Sequence, residues 1–308
     1  MGINHIFMRN KRRSLPVFIF LAFVCTIVNI VYAQESFEVK TKKSFLWSVK
    51  TNENAVYLLG SLHLLKSDSY PLAEEIEIAY ADCKKIVFET DLDGMNDPAL
   101  QAKMMTLGLY LDGQTLEQNL SEQTYKLLKG KMAAAGLTMA QFDRFKPWFC
   151  ALTLTAIELQ RLGFDLSYGI DMHFFKKAKK DGKEIMFLEP VEYQLDLFAN
   201  MGKREQESFL SQTLEDLDVI GKMACDIVNS WKTGDVDKLN SIMKISFKEH
   251  PDIHNRLVIQ RNKKWISQIE DLIRQNDNVL VIVGAGHLVG TESILDLLKQ
   301  KGYKTEQR

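Results

Sequence analysis

Two short stretches near opposite ends of the chain share one layout. Tyr57-Leu58-Leu59-Gly60-Ser61-Leu62-His63-Leu64 and Val281-Ile282-Val283-Gly284-Ala285-Gly286-His287-Leu288 each run from an apolar segment into Gly-x-x-His. Continuous apolar runs bounded by turn residues read as strands buried on both faces. A helix is expected after each run, and a further extended segment after each helix: 85–90 in the first half and 302–305 in the second. The halves stand too far apart for a tandem array. They are expected to be two half-units whose strands meet in one core, with a helical insert between them at about 121–274, all within a single domain over 34–308.

Periodicity places helices in that insert at 122–135, 147–162, 171–180, 235–245 and 257–274, with one long helix or a pair over 204–232. In 147–162, Trp148, Leu152, Thr155 and Leu159 form one stripe. Gly182 turns the chain into a short strand at 184–189. Before the insert, Pro71 is expected to open a helix whose inner face carries Leu72, Ile76, Ala79, Tyr80 and Cys83.

The first 13 residues carry four cations and no acid, and 14–34 carry no charge. With Val31-Tyr32-Ala33 as a small-x-small site, residues 1–33 read as a secretory signal peptide cleaved after Ala33. The alternative is an uncleaved anchor, since about 18 apolar residues can span a bilayer. Both put the body outside the cytoplasm, periplasmic or secreted, and cleavage would leave no stable membrane span. With 39 Lys+Arg against 40 Asp+Glu, no global basic excess supports a nucleic-acid partner. Oligomeric state is not legible. The cysteines left after cleavage (Cys83, Cys150 and Cys225) form no zinc-type pair and read as small buried hydrophobes.

A buried strand delivers the residues that follow it to the edge of the sheet, where ligands bind in α/β folds. Two imidazoles converging there, His63 and His287, suit a divalent metal, and Glu89 at the end of the adjoining strand adds a carboxylate as ligand or base. Hydrogen-bonded structural histidines are the competing reading. His250 and His254 flank Pro251, which disfavours a helical ligand pair, and His173 on a lysine-rich helix reads as solvated. The G-x-G-x-x-x-G stretch at 284–290 has the wrong spacing and too little chain after it for a dinucleotide fold. No Walker loop, H-E-x-x-H or G-x-S-x-G occurs.

Taken in order, several short motifs resemble the TraB/GumN family, which includes bacterial GumN-like proteins, TraB/PrgY and the Tiki metalloproteases. They are Tyr57 to His63, Val87-Phe88-Glu89-Thr90-Asp91, Lys146-Pro147-Trp148, Gly169-Ile170-Asp171, Gly182-Lys183, Leu188-Glu189 with Gln194, Arg261-Asn262, and Val283 to Gly290. The resemblance implies a mixed α/β fold with paired central sheets in two pseudo-symmetric halves enclosed by helices. It also implies a metal-dependent peptidase or hydrolase acting on a peptide or protein. His63, His287 and Glu89 would hold the metal, and manganese, cobalt or zinc all suit such a set. Arg261 would stabilise an oxyanion or serve as a structural ion pair. Asp171, Glu189 and Asn262 would orient the ligands. The rival reading is a non-enzymatic module that binds a haem-like ligand or a signal peptide. Met104, Met105, Met132 and Met139 are its weak support, because helical Met is usually core filler.

Overall fold

The computed structural model describes residues 43–308. The expected export segment 1–33 and Cys25 lie outside the described residues. The strands are β1 (Leu46–Lys50), β2 (Ala55–Ser61), β3 (Lys85–Phe88), β4 (Glu184–Phe187), β5 (Val279–Gly284) and β6 (Thr305–Gln307). The helices before the third strand's successor are α1 (Glu74–Asp82), α2 (Pro98–Gly108), α3 (Glu122–Ala134), α4 (Pro147–Arg161) and α5 (Ile170–Asp181). Then come α6 (Val191–Ala199), α7 (Lys203–Asp216), α8 (Ile220–Thr233), α9 (Val236–Ser246), α10 (Pro251–His254), α11 (Gln260–Ile273) and α12 (Ile294–Gln300).

The strands form one sheet in the order β4-β3-β5-β2-β1-β6. The mixed α/β class holds, but the strands form one sheet rather than the expected paired sheets, because β2 and β5 hydrogen-bond to each other as neighbours. β2 and β5 are parallel neighbours, with Gly60 opposite Val283 and Ser61 opposite Gly284. β3 runs parallel to both β5 and β4. β1 and then β6 add antiparallel on the other side. All six residues of β5 are buried, as a central parallel strand covered on both faces requires. Leu58, Leu59, Ile86, Val87, Phe88 and Trp265 are in the core around it.

Residues 204–232 resolve as the pair α7 and α8, broken at Leu217 to Val219. α1 starts at Glu74 rather than at Pro71, because Ala73 keeps an extended backbone as its N-cap. α5 stops at Gly182, whose φ of 67° is the left-handed C-cap that glycine takes without strain. α2 and α6 were not expected. α2 has its signals, Asp97 accepting from the Ala99 N–H and Pro98 in the first turn, but little amphipathic contrast. Cys83 and Cys150 are buried, whereas Cys225 is exposed and departs from the expected buried set. No helix of the described residues is long and apolar enough to cross a membrane.

Candidate functional site

Four adjacent parallel strands end on the same edge of the sheet, and each hands over one polar residue. β2 leads to His63, β5 to His287, β3 to Glu89 and β4 to Glu189. Strand polarity alone therefore gathers residues that are distant in sequence, at the carboxyl edge where α/β sheets place ligands.

Arg261, on the first turn of α11, is fully buried at the centre of this group. Its Nη2 donates to Glu89 Oε2 at 2.5 Å, its Nε to Glu189 Oε1 at 3.0 Å, and its Nη1 to the Leu257 carbonyl at 2.9 Å. The five-residue π-turn Asn255–Ile259 precedes α11, and such turns are frequent at functional sites. The guanidinium also lies 4.5 Å over the Trp265 ring, one helical turn on. Trp265 Nε1 donates to Glu189 Oε2 at 3.0 Å, and Gln194 Nε2 donates to Glu189 Oε1 at 3.0 Å. Two buried carboxylates thus share one cation and a ring of donors, which is what makes their burial tolerable.

The two histidines are held in matching ways. His63 Nδ1 meets Asp171 Oδ2 at 2.7 Å, and His287 Nδ1 donates to Asn262 Oδ1 at 2.6 Å. An acceptor at Nδ1 keeps a proton on that nitrogen and leaves Nε2 to face away from the contact, as hydrogen-bonded partners of ligating histidines do. His287 Nε2 lies 3.1 Å from Arg261 Nη1 and 3.7 Å from Glu89 Oε1. His287 is fully buried, with its ring 4.6 Å from Trp265. His63 retains 20% side-chain exposure and forms the open side of the group.

Gly284 sits between them. Its N–H donates to Glu89 Oε1 at 2.6 Å. A Cβ there would stand 3.3 Å from Glu89 Oε1 and 3.6 Å from both His63 Nε2 and His287 Cδ2. The missing side chain keeps a gap bordered by these three residues. Among the described residues, no three His, Cys, Asp or Glu side chains are already gathered as a metal site.

Electrostatics separates the groups. Burial favours a neutral His63, but the Asp171 carboxylate, then Glu89, outweighs it and holds the imidazole at about 9. Burial and then Arg261 push His287 down to about 3, so it is neutral. Burial alone would raise Glu89, yet Arg261 and the histidines hold it at about 2. Glu189 is shifted upward, chiefly by burial.

The expected residues His63, His287, Glu89, Arg261, Asp171, Glu189 and Asn262 therefore converge. Trp265 and Ser61, which sequence reading did not select, join them. Trp265 is the i+4 neighbour of Arg261, a spacing that could have flagged it. The other histidines lie apart from these contacts. His173 is half-buried rather than solvated, with its ring against Tyr70 and Phe174, and His254 stacks on Phe247. Met104 and Met132 are core residues.

The profile of the TraB/PrgY/gumN family matches residues 45–307, a span that includes every residue of this site. The chain belongs to the TraB/PrgY/gumN family. It is 22% identical to the Escherichia coli (strain K12) protein YbaP, over 79% of this chain and 87% of that one. It is 25% identical to Metalloprotease TIKI2 of Danio rerio, over 87% of this chain and 61% of that one. A Treponema pallidum (strain Nichols) protein is 20% identical, over 84% of this chain and 81% of its own length. No solved structure gives a significant match.

Proposed function

We propose that this protein is an exported, periplasmic or secreted metal-dependent hydrolase of the peptidase type, acting on a peptide or protein substrate. The observation that carries the reading is the matched pair of imidazoles. Both have Nδ1 engaged by a side-chain oxygen, and both border the gap at Gly284 with Glu89 as the third side. That donor chemistry fits a divalent cation such as zinc, manganese or cobalt, held by His63, His287 and Glu89. A cation so held would polarise a carbonyl and acidify a bound water.

The chain's own residues do the rest. Asp171 holds His63 through Nδ1, and Asn262 holds His287 in its neutral form. Arg261 keeps Glu89 ionised and aligned, while Gln194 and Trp265 fix Glu189 behind it. Glu89, kept ionised at the gap, would serve as the oxygen ligand of the set. The name Metalloprotease carried by the TIKI2 relative supports the reaction class.

A second reading is a ligand-binding module without hydrolysis. It is favoured by the Arg261 contact to His287 Nε2, which closes the polar network without a cation. Metal analysis of protein purified from the cell envelope, followed by a peptide-library cleavage screen, separates the two. Bound metal with cleavage supports the hydrolase; absence of both supports the module.

A further inference from the structure

The two Gly-x-x-His units differ in how their histidine is supported. In the second unit Asn262 alone meets His287 Nδ1, and Asn262 Nδ2 is itself fixed by donating to the Glu292 carbonyl at 2.9 Å. In the first unit the acceptor is a carboxylate, Asp171, which by itself is free to present either oxygen or to turn away. One oxygen is claimed. Ser61, the last residue of β2 and only 1% exposed, donates its Oγ to Asp171 Oδ1 at 2.8 Å, leaving Oδ2 for His63. The equivalent position of the second unit is Ala285, which has no hydroxyl.

The backbone around this pair is closed as tightly. The Ile170 N–H donates to the Leu62 carbonyl at 3.0 Å, pinning the start of α5 to the turn that carries His63. A Cβ on Gly169 would fall 2.1 Å from the His63 carbonyl oxygen, so only glycine lets α5 approach this closely. Asp171 lies in the first turn of α5, where the helix dipole favours its negative charge. Helix, turn and strand end thus fix the positions of Asp171 and His63, and the remaining freedom is rotation of the carboxylate.

We propose that Ser61 is a positioning residue that locks the Asp171 carboxylate, and through it keeps the His63 Nδ1–H engaged and sets the aim of the ring. This role rests on the reading above in which His63 serves through Nε2. A hydroxyl here supplies a hydrogen bond to a charged acceptor, a strong class of contact in a buried place.

Two readouts on the full-length protein test it. Proton NMR of metal-free protein is expected to show a slowly exchanging downfield imidazole N–H, assigned to His63 by its loss in His63→Gln and Asp171→Asn. In Ser61→Ala that signal shifts and exchanges faster, and Ser61→Thr restores it. Calorimetric titration with zinc or manganese is expected to weaken about tenfold in Ser61→Ala, the scale of outer-sphere losses at metal sites. A purely structural serine would lower Tm and leave the resonance in place. Ser61→Ala with unchanged resonance overturns the proposal, as does Ser61→Thr behaving like Ser61→Ala. Should the wild-type protein bind no cation while the resonance responds as expected, the metal reading fails and the positioning role stands.

Discussion

Arg261 Nη1 lies 3.1 Å from His287 Nε2, the imidazole atom that a shared cation would need. The same guanidinium neutralises Glu89 and Glu189, both buried. In the proposed metal site, stability and cation binding would therefore meet at one side chain. On the proposed reading, loading the gap at Gly284 would require Arg261 to give up His287 while keeping its carboxylates.

Replacing Arg261 by Met removes the counter-charge of two buried carboxylates. Breaking a buried pair from one side typically costs about 3–5 kcal/mol. Denaturant unfolding should show a loss of that order, with Arg261→Lys recovering part of it. A Met variant as stable as the wild type would mean that the carboxylates are not ionised in the fold.

Asn262→Ala strands the His287 Nδ1–H in the core and frees the half-buried Glu292 carbonyl to water. Leaving one buried polar group unpaired costs about 1–3 kcal/mol. The expected result is a clear drop in Tm together with weaker cation binding. A drop in neither would remove Asn262 from the site.

The two histidines give opposite pH slopes in chelator-treated protein. His63 is held at about 9, above its unfolded value of 6.5, so its contribution is full below pH 6.5 and disappears as pH rises through 9. His287 is held at about 3, so its contribution is full above pH 6.5 and is lost as pH falls toward 3. Glu89, held at about 2 against 4.5, adds to the acid loss below pH 4.5. Melting curves across this range should peak near neutrality. His63→Ala should flatten the alkaline limb and leave the acid limb; equal flattening of both would contradict the assignment.

The cysteines should divide by exposure. Cys225 is exposed, whereas burial pushes the Cys83 thiol up to about 12 and raises Cys150 as well. Thiolate is the reactive form, so of these three cysteines a thiol dye at mildly alkaline pH should label only Cys225 until denaturant is added. Rapid native labelling of Cys83 or Cys150 would show the core to be open.

Much of this site was legible because strand-end motifs carry their geometry with them. An apolar run ending in Gly-x-x-His fixes both the burial of the strand and the edge where the imidazole emerges, and Glu89 follows by the same logic on β3. What periodicity could not supply was depth. His287 sits behind α11, and only the docking of that helix, with Trp265 over the ring, buries it. Ser61 was illegible for another reason: its partner Asp171 is brought to it by tertiary contact, and a serine at a strand end has many uses. The side-by-side placement of β2 and β5 agrees with the matched strands, but the order of β3 and β4 beyond β5 depends on crossovers that no local pattern encodes.

The central claim is that His63, His287 and Glu89 share a divalent cation. His287 is too deeply buried for truncation to be silent, so His287→Gln and the more exposed His63→Ala are the fitting variants. Metal content of the purified full-length protein and of each variant, measured by mass spectrometry beside a circular-dichroism check of folding, tests the claim most directly. The account predicts a stoichiometric divalent cation in the wild type and its loss from both folded variants. Equal metal content in all three proteins, or none in the wild type after supplementation with zinc, manganese and cobalt, would contradict it.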